Sequence, residues 1–384
     1  MEALGWGGIL LEAGLRFWPV WLTLALTLGP GIVLRGRLGL PGRLCGSWIG
    51  CLGLGLVLFW LVTAILADLI VTHDPLAQLS GLKNAPPGSP TGAQGYPYYL
   101  LGGDSLARDV FSRMVMGARR VLTIAPAATL VALAVGVVLG LPAGYLGGRL
   151  DALLSFIANL VLAFPVILLF YLLVTPEVRG TALPRMLAAA LFLIPVLLAA
   201  LLWHSRFRMQ PGMRAAGLAL ILALGLWIWA GLALGADPLG LWRMDPGLLN
   251  VFVAVVFVNA PTVFRIVRSL ARELRSRDYV AAARTRGEGP WFIMLWEILP
   301  NARGPLIVDA CLRVGYTTIL LGTLGFFGLG VSPESPDWGS TINDGRRFLA
   351  IYPHAAVVPA LALMSLVLGL NLLADALREE ALRD

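Results

Sequence analysis

Long runs of apolar residues set the pattern of this chain, and few stretches show the alternation expected of a half-buried strand. A helix needs about 20 mainly apolar residues to cross the hydrocarbon core of a bilayer. Nine runs approach that length before charge or Gly/Pro ends them: 17–34, 48–71, 121–141, 152–174, 186–203, 215–236, 248–267, 305–327 and 355–376. They predict an all-α polytopic membrane protein. The first run is interrupted by Gly29-Pro30-Gly31. Glu2, Glu12 and Arg16 precede it in place of a basic start, and no A-x-A-like site precedes Arg35, so a retained span is expected and not a cleaved leader.

The charged residues between the runs are unevenly placed. Arg35, Arg37 and Arg43 follow the first run, and Arg206, Arg208 and Arg214 lie between the fifth and sixth. Arg265, Arg268, Arg272, Arg275, Arg277, Arg284, Arg286 and Arg303 extend from the seventh to the eighth. With nine spans all three connections share one side, which the positive-inside rule makes cytoplasmic. The N-terminus is then expected outside and the tail 377–384 in the cytoplasm.

Composition narrows the function classes. The 384 residues are 58% hydrophobic and 13% charged, with a mean hydropathy of +0.82, against about 25% charged in ordinary soluble domains. A soluble globule is excluded. The net charge of +7 comes almost wholly from arginine, Lys83 being the single lysine. Loop position accounts for these arginines, so no nucleic-acid partner is expected. Cys45, Cys51 and Cys311 are scattered, and His73, His204 and His354 each stand alone near a boundary, so neither a disulfide nor a metal site is expected. No G-x-S-x-G or H-E-x-x-H occurs, and Lys83 is followed by Asn84, which rules out a P-loop. The chain is expected to be no enzyme and to hold no cofactor.

Two polar segments carry pattern. In the long external segment 73–120, residues 82–99 are rich in Pro, Gly and Asn and predict an irregular loop. Leu106, Val110, Met114 and Met116 then interleave with Arg108, Asp109, Arg113 and Arg119, which predicts a short amphipathic helix lying along the membrane surface. The second segment, 277–303, reads RDYVAAARTRGEGPWFIMLWEILPNAR and is too long for a mere connector. Ser276 or Asp278 can cap a helix with a small face, Ala281, Ala282 and Ala283, ending at Gly287. A second helix is expected from Pro290 to Leu299, with Trp291, Leu295 and Ile298 on one face and Pro300 as its stop. Two short helices meeting at a glycine make a knob able to sit in a partner's groove. These residues equally allow an amphipathic loop lying on lipid headgroups.

The knob resembles the EAA loop of ABC importer permeases, with Ala282, Ala283, Gly287, Leu299 and Pro300 at matching places and Ala281 where that family carries Glu. Residues 101–110, LGGDSLARDV, are similar to that family's LGTDxLGRDV, with Gly103 and Ala107 departing. Gly144-Tyr145-Leu146-Gly147-Gly148 with Asp151, Ala163-Phe164-Pro165, the stretch 327–340, and 371–378 resemble further landmarks in the same order. Together they resemble the permeases of dipeptide, oligopeptide and nickel importers, in particular the second of the pair. The resemblance implies a six-helix permease core in the bacterial inner membrane with three added spans. It divides the chain into an extra N-terminal span and loop (1–44), a first core part (45–175, with external loop 72–120), an inserted helix pair (176–247) and a second core part (248–384, with coupling loop 270–303).

The resemblance also implies roles. Tyr279, Ala281, Ala282, Ala283, Arg284, Gly287, Trp291, Leu299 and Pro300 would dock an ATP-binding subunit. Asp104, Arg108, Asp109 and Trp338, in segments 104–120 and 332–347, would face a receptor. The implied partners are a homologous permease, two ATP-binding subunits carrying ATP and Mg, an extracytoplasmic solute-binding protein and the lipid membrane. Peptides are the default solute. Asp309 and Arg313, spaced i,i+4 in the eighth run, could pair structurally or contact substrate, and Asn259 and Tyr316 are further pathway candidates. An ion-coupled secondary transporter would need several midplane acids and an internal repeat. A membrane-embedded enzyme would need clustered His, Asp and Glu at one depth.

Overall fold

The computed structural model describes residues 2–33, 39–92, 95–175, 178, 181–241, 244–329 and 335–381. Arg35 and Arg37, and residues 330–334 of the 327–340 stretch, lie outside these. Among the described residues, seven helices are long and apolar enough to cross a bilayer, and two bent pairs raise the number to nine if each pair is one span. The sheet content is one two-residue ladder, Ser89–Pro90 against Tyr98–Tyr99. Residues 1–126 with 311–384 form one compact unit and 127–310 the other.

The first unit begins with α1 (Trp6–Arg16) and α2 (Trp18–Val33), which bend by 61°. The break falls at Phe17 and not at the expected Gly29-Pro30-Gly31, through which α2 continues. Phe17 is buried there with Val20, Ala67, Ile70, Leu100, Phe111 and Val115. Tyr96 ties α1 to the 82–99 loop, its hydroxyl donating to Glu12 at 2.8 Å, with the Arg16 guanidinium 4.4 Å above its ring. Burial first, and then the Glu12 carboxylate, pushes the Tyr96 phenol up to about 12. The short helix α3 (Gly39–Leu44) leads to α4 (Trp48–Ile65), whose Ser47 cap accepts from the Gly50 N–H at 3.0 Å. One more turn, α5 (Ala67–Ile70), follows.

Downstream, α6 (Val110–Leu146) runs for 37 residues, about 55 Å at 1.5 Å per residue. It therefore contains both the expected third span and the stretch predicted to lie flat on the membrane. That prediction is corrected: Val110, Phe111, Ser112, Arg113 and Val115 are all buried. Of the expected apolar face only Leu106 is exposed, with Met114 and Met116 partly so. The last apolar helix, α17 (His354–Ala381), packs along α4 through glycines. A Cβ on Gly53 would stand 2.6 Å from the Leu373 amide, and one on Gly369 2.7 Å from the Leu56 Cβ. Small residues at such contacts let helices in lipid approach closely. Arg43 pairs with Glu380 at 2.9 Å, bringing the connection after the first run beside the end of α17.

In the second unit α6 continues with Gly136, Gly140 and Gly144 at four-residue spacing. Each lacks room for a side chain because Val263, Val267 or Arg268 lies against it. Those residues belong to α11 (Pro246–Leu274), whose N-cap Asp245 accepts from the Gly247 and Leu248 amides at 2.9 and 3.3 Å. Pro261 leaves α11 unbroken. Gly147 and Gly148, both with positive φ, turn the chain into α7 (Gly148–Ala163). At Pro165 the path bends by 92° into α8 (Val166–Val174), so the fourth apolar run is a broken helix. The pair α9 (Leu183–Arg206) and α10 (Pro211–Trp229) forms a tight antiparallel hairpin. After α11 come α12 (Asp278–Thr285), α13 (Pro290–Phe292), a π turn (Ile293–Ile298), α14 (Leu299–Asn301) and α15 (Arg303–Phe326), which from residue 311 belongs to the first unit. The helix α16 (Trp338–Arg346) precedes α17 and belongs to the first unit.

Candidate coupling loop and buried platform

The loop between α11 and α15 is built around one glycine. Arg277 takes the N-cap of α12 without a side-chain bond. Ser276 does not cap, because its hydroxyl donates to the Glu273 carbonyl at 3.1 Å, and Asp278 sits in the first turn, where the helix dipole favours a carboxylate. At the other end the Gly287 N–H bonds the Arg284 carbonyl at 3.0 Å and the Glu288 N–H the Ala283 carbonyl at 3.2 Å. This is the Schellman pattern, which needs a left-handed residue at Gly287, and its φ is +76°. Nothing lies within 4 Å of a Cβ placed there, so backbone conformation alone selects glycine.

The loop has two faces. Val280, Ala283, Ile293, Met294, Leu295 and Ile298 are buried, whereas Ala281, Ala282, Arg284, Gly287 and Pro300 are exposed. Trp291, expected with Leu295 and Ile298, is instead 37% exposed. The π turn explains this correction, since its i→i+5 bonding puts residues before it out of phase with those after it. Pro300 does not stop the helix as expected. It sits in the first turn of α14, where its missing N–H costs little after the widened turn. Leu299 is half-buried, and the Tyr279 hydroxyl is buried with no hydrogen-bond partner among the described residues. Burial raises that phenol's pKa.

Ion pairs and rings hold the loop's rim. Arg286 meets Glu297 at 2.8 Å, and Arg208 meets Glu288 at 3.2 Å. Arg284 donates to the Tyr145 hydroxyl at 3.1 Å and lies 5.1 Å from its ring centroid. Trp296 donates to Ser205 at 2.9 Å, with Arg206 5.1 Å from its ring. Two of the arginine-bearing connections, 206–208 and 277–303, therefore meet within this unit.

The four residues expected to face a receptor are placed otherwise. Asp104, Arg108, Asp109 and Trp338 are 1%, 3%, 0% and 0% exposed. Their polar groups bond residues of this chain. Asp104 accepts from the Leu106 and Arg108 amides, both at 2.9 Å, and from Arg108 Nε at 2.6 Å. Arg108 reaches on to Asp344 at 2.9 Å, and Arg113 donates to Thr341 at 3.0 Å. Asp109 accepts from Ser112 and Thr72. The Trp338 indole donates to the Met114 carbonyl at 2.8 Å and fills the space that Gly117 leaves. Asp337 caps α16 through the Ser340 amide at 2.9 Å. Burial raises its carboxyl pKa against the opposing pull of those amides, Arg113 and Arg120. Residues 338–346, expected as part of a loop, are thus the helix α16. What this region does expose is Leu106, Phe348, Leu349 and Ile351, which sequence reasoning passed over because single apolar residues in polar loops carry little signal.

Of the pathway candidates, Asn259 is buried and donates to the Val255 carbonyl of its own helix at 3.0 Å. Tyr316 is 66% exposed. Arg313 is buried and Asp309 half-buried, one turn apart on α15. No group of three or more His, Cys, Asp or Glu among the described residues is placed to hold a metal ion.

Residues 136–379 match the family model described as binding-protein-dependent transport system inner membrane component. The chain is similar to the glutathione transport system permease protein GsiD of Pectobacterium atrosepticum, 30% identical over 73% of this chain and 71% of that one. It is similar to the dipeptide transport system permease protein DppC of Haemophilus influenzae, 27% identical over 85% and 88%. A di/tripeptide transport system permease of Pseudomonas aeruginosa is 28% identical over 86% of each chain.

Proposed function

Because the chain belongs to the family of binding-protein-dependent transport system inner membrane components, we propose that it is a permease subunit of an ATP-driven importer of peptides or glutathione-like solutes. In this reading it forms the pathway with a homologous permease, two ATP-binding subunits and an extracytoplasmic solute-binding protein. ATP and Mg belong to the ATP-binding subunits, since this chain carries no P-loop. The N-terminus lies outside, and the arginine-rich connections and C-terminus lie in the cytoplasm.

The observation that carries this reading is the two-faced loop at Gly287. Its inner face is packed onto the chain, and its outer face presents Ala281, Ala282 and Arg284 on a helix held at a fixed angle by the glycine cap. Small exposed side chains let a partner's groove close on the helix backbone. With Ala281 in place of Glu, contact depends on shape and on the neighbouring arginines. Movement of α12 by the ATP-binding subunit passes through the buried Val280, Ala283 and Ile298 into the flanking helices α11 and α15. Transport follows if one conformation binds ATP better and another binds the loaded receptor better.

Co-purification tests it. ATP-binding subunits are expected to come down with the chain and to be lost from Gly287→Val, while the variant permease stays in the membrane. A variant that keeps both its ATP-binding subunits and wild-type uptake would sink the docking assignment.

A further inference from the structure

The hairpin of α9 and α10 is poorly explained as core. Only 17% and 11% of the apolar windows of these helices are buried within the chain, against 78% for α11. Yet it is built stiffly. Trp203 fills the notch at Gly217, donates to the Met213 carbonyl at 3.1 Å and stacks 4.4 Å from Phe207. At the far end Trp229 donates to the Ala189 carbonyl at 2.8 Å, and Trp227 to Asp237 at 2.9 Å. Phe192 packs 5.4 Å from Phe252, which fastens the hairpin to α11. Its turn is exposed at Met209 and Gln210, yet the flanking residues also reach the loop.

Three chemically different contacts converge there. Arg208 pairs with Glu288, and its guanidinium stands 3.7 Å from where a Cβ on Gly289 would be. The Ser205 hydroxyl accepts from the Trp296 indole, and Arg206 covers the same ring. Glu288 lies within the elbow Gly287-Glu288-Gly289-Pro290, where two glycines leave the backbone little stiffness of its own, and Trp296 follows it.

We propose that this hairpin is a brace: Ser205, Arg206 and Arg208 are positioning residues that hold the elbow, and with it the exposed face of α12, in the pose that couples ATP hydrolysis to transport. The coupling part rests on the function proposed above, whereas the bracing itself is a property of this chain alone.

The experiment uses the assembled importer with the full-length permease, in lipid nanodiscs for hydrogen exchange and in sealed proteoliposomes for peptide uptake, with Arg208→Glu, Glu288→Arg and the double exchange. Hydrogen exchange over 287–298 is expected to quicken in each single variant, by about two- to five-fold for a half-exposed ion pair. It should return towards wild type in the double variant. Uptake per ATP hydrolysed should fall and recover in parallel while the amount of assembled importer stays constant. A purely structural contact would lower assembly or melting temperature and leave that ratio unchanged. Unchanged exchange in Arg208→Glu overturns the brace, and quickened exchange with an unchanged ratio overturns its role in coupling. If the wild-type chain brings down no ATP-binding subunit, the docking assignment fails, and the exchange data still decide the brace.

Discussion

Around Asp104 the charges are sealed: Asp104, Arg108, Asp109 and Arg113 are at most 3% exposed and bond one another, nearby backbone, or the side chains of Thr72, Ser112, Thr341 and Asp344. Along the 277–303 loop the pairs stay wet, with side-chain exposures of 43% and 20% for Arg208 and Glu288 and 55% and 23% for Arg286 and Glu297. A sealed pair cannot lose one member cheaply, because the other is left charged in a medium that does not solvate it. A wet pair exchanges its partner for water, or for another protein, at little cost. The first region is therefore set as a rigid platform, and the second can be re-partnered without unfolding.

Arg108→Ala puts the most strain on that contrast. It strands Asp104 and should cost about 3–5 kcal/mol, read as a large drop in melting temperature or in folded yield; a loss below about 1 kcal/mol would erase the distinction. Gly287→Val comes next, since a β-branched residue at a left-handed φ costs about 1–2 kcal/mol. That cost should appear as faster exchange in the loop with little change in global melting.

Ala107 should respond in the opposite direction. Its φ of +62° is left-handed, at a place where the resembled motif carries glycine, so Ala107→Gly should raise platform stability by about 1 kcal/mol. Arg286→Ala should change stability by less than about 1 kcal/mol, and 1 M salt should remove most of that difference. The smallest effect concerns pH. The folded Tyr96 phenol, at about 12, sits above its unfolded value of about 10. Its contribution is complete below pH 10 and is lost as pH rises through 12, and Tyr96→Phe should flatten the melting profile over that window.

The apolar runs were legible because a bilayer demands them wherever the chain crosses. Proline alone did not mark the breaks: Pro165 falls where the fourth run bends by 92°, whereas Pro261 leaves α11 unbroken. Helix ends were less legible: α6 starts eleven residues before its apolar run because buried partners solvate Arg113 and Asp109 in place of water. Gly287 could be read because its cap depends on neighbours in sequence. The burial of Arg108 could not, since its partner Asp344 lies 236 residues away. The same holds for Trp296 and Ser205, 91 residues apart. The π turn has no composition of its own and escaped the helical reading of 290–299.

That turn has a mechanical meaning. It inserts the equivalent of one residue into the helical path between Trp291 and Pro300, and one residue is about 100° of rotation about a helix axis. The chain thus has a fixed phase offset between the residues before the turn and those after it. Shortening 293–298 by a single residue should restore ordinary winding and turn one side against the other like a slipped gear tooth, read as uptake lost while folded yield is kept.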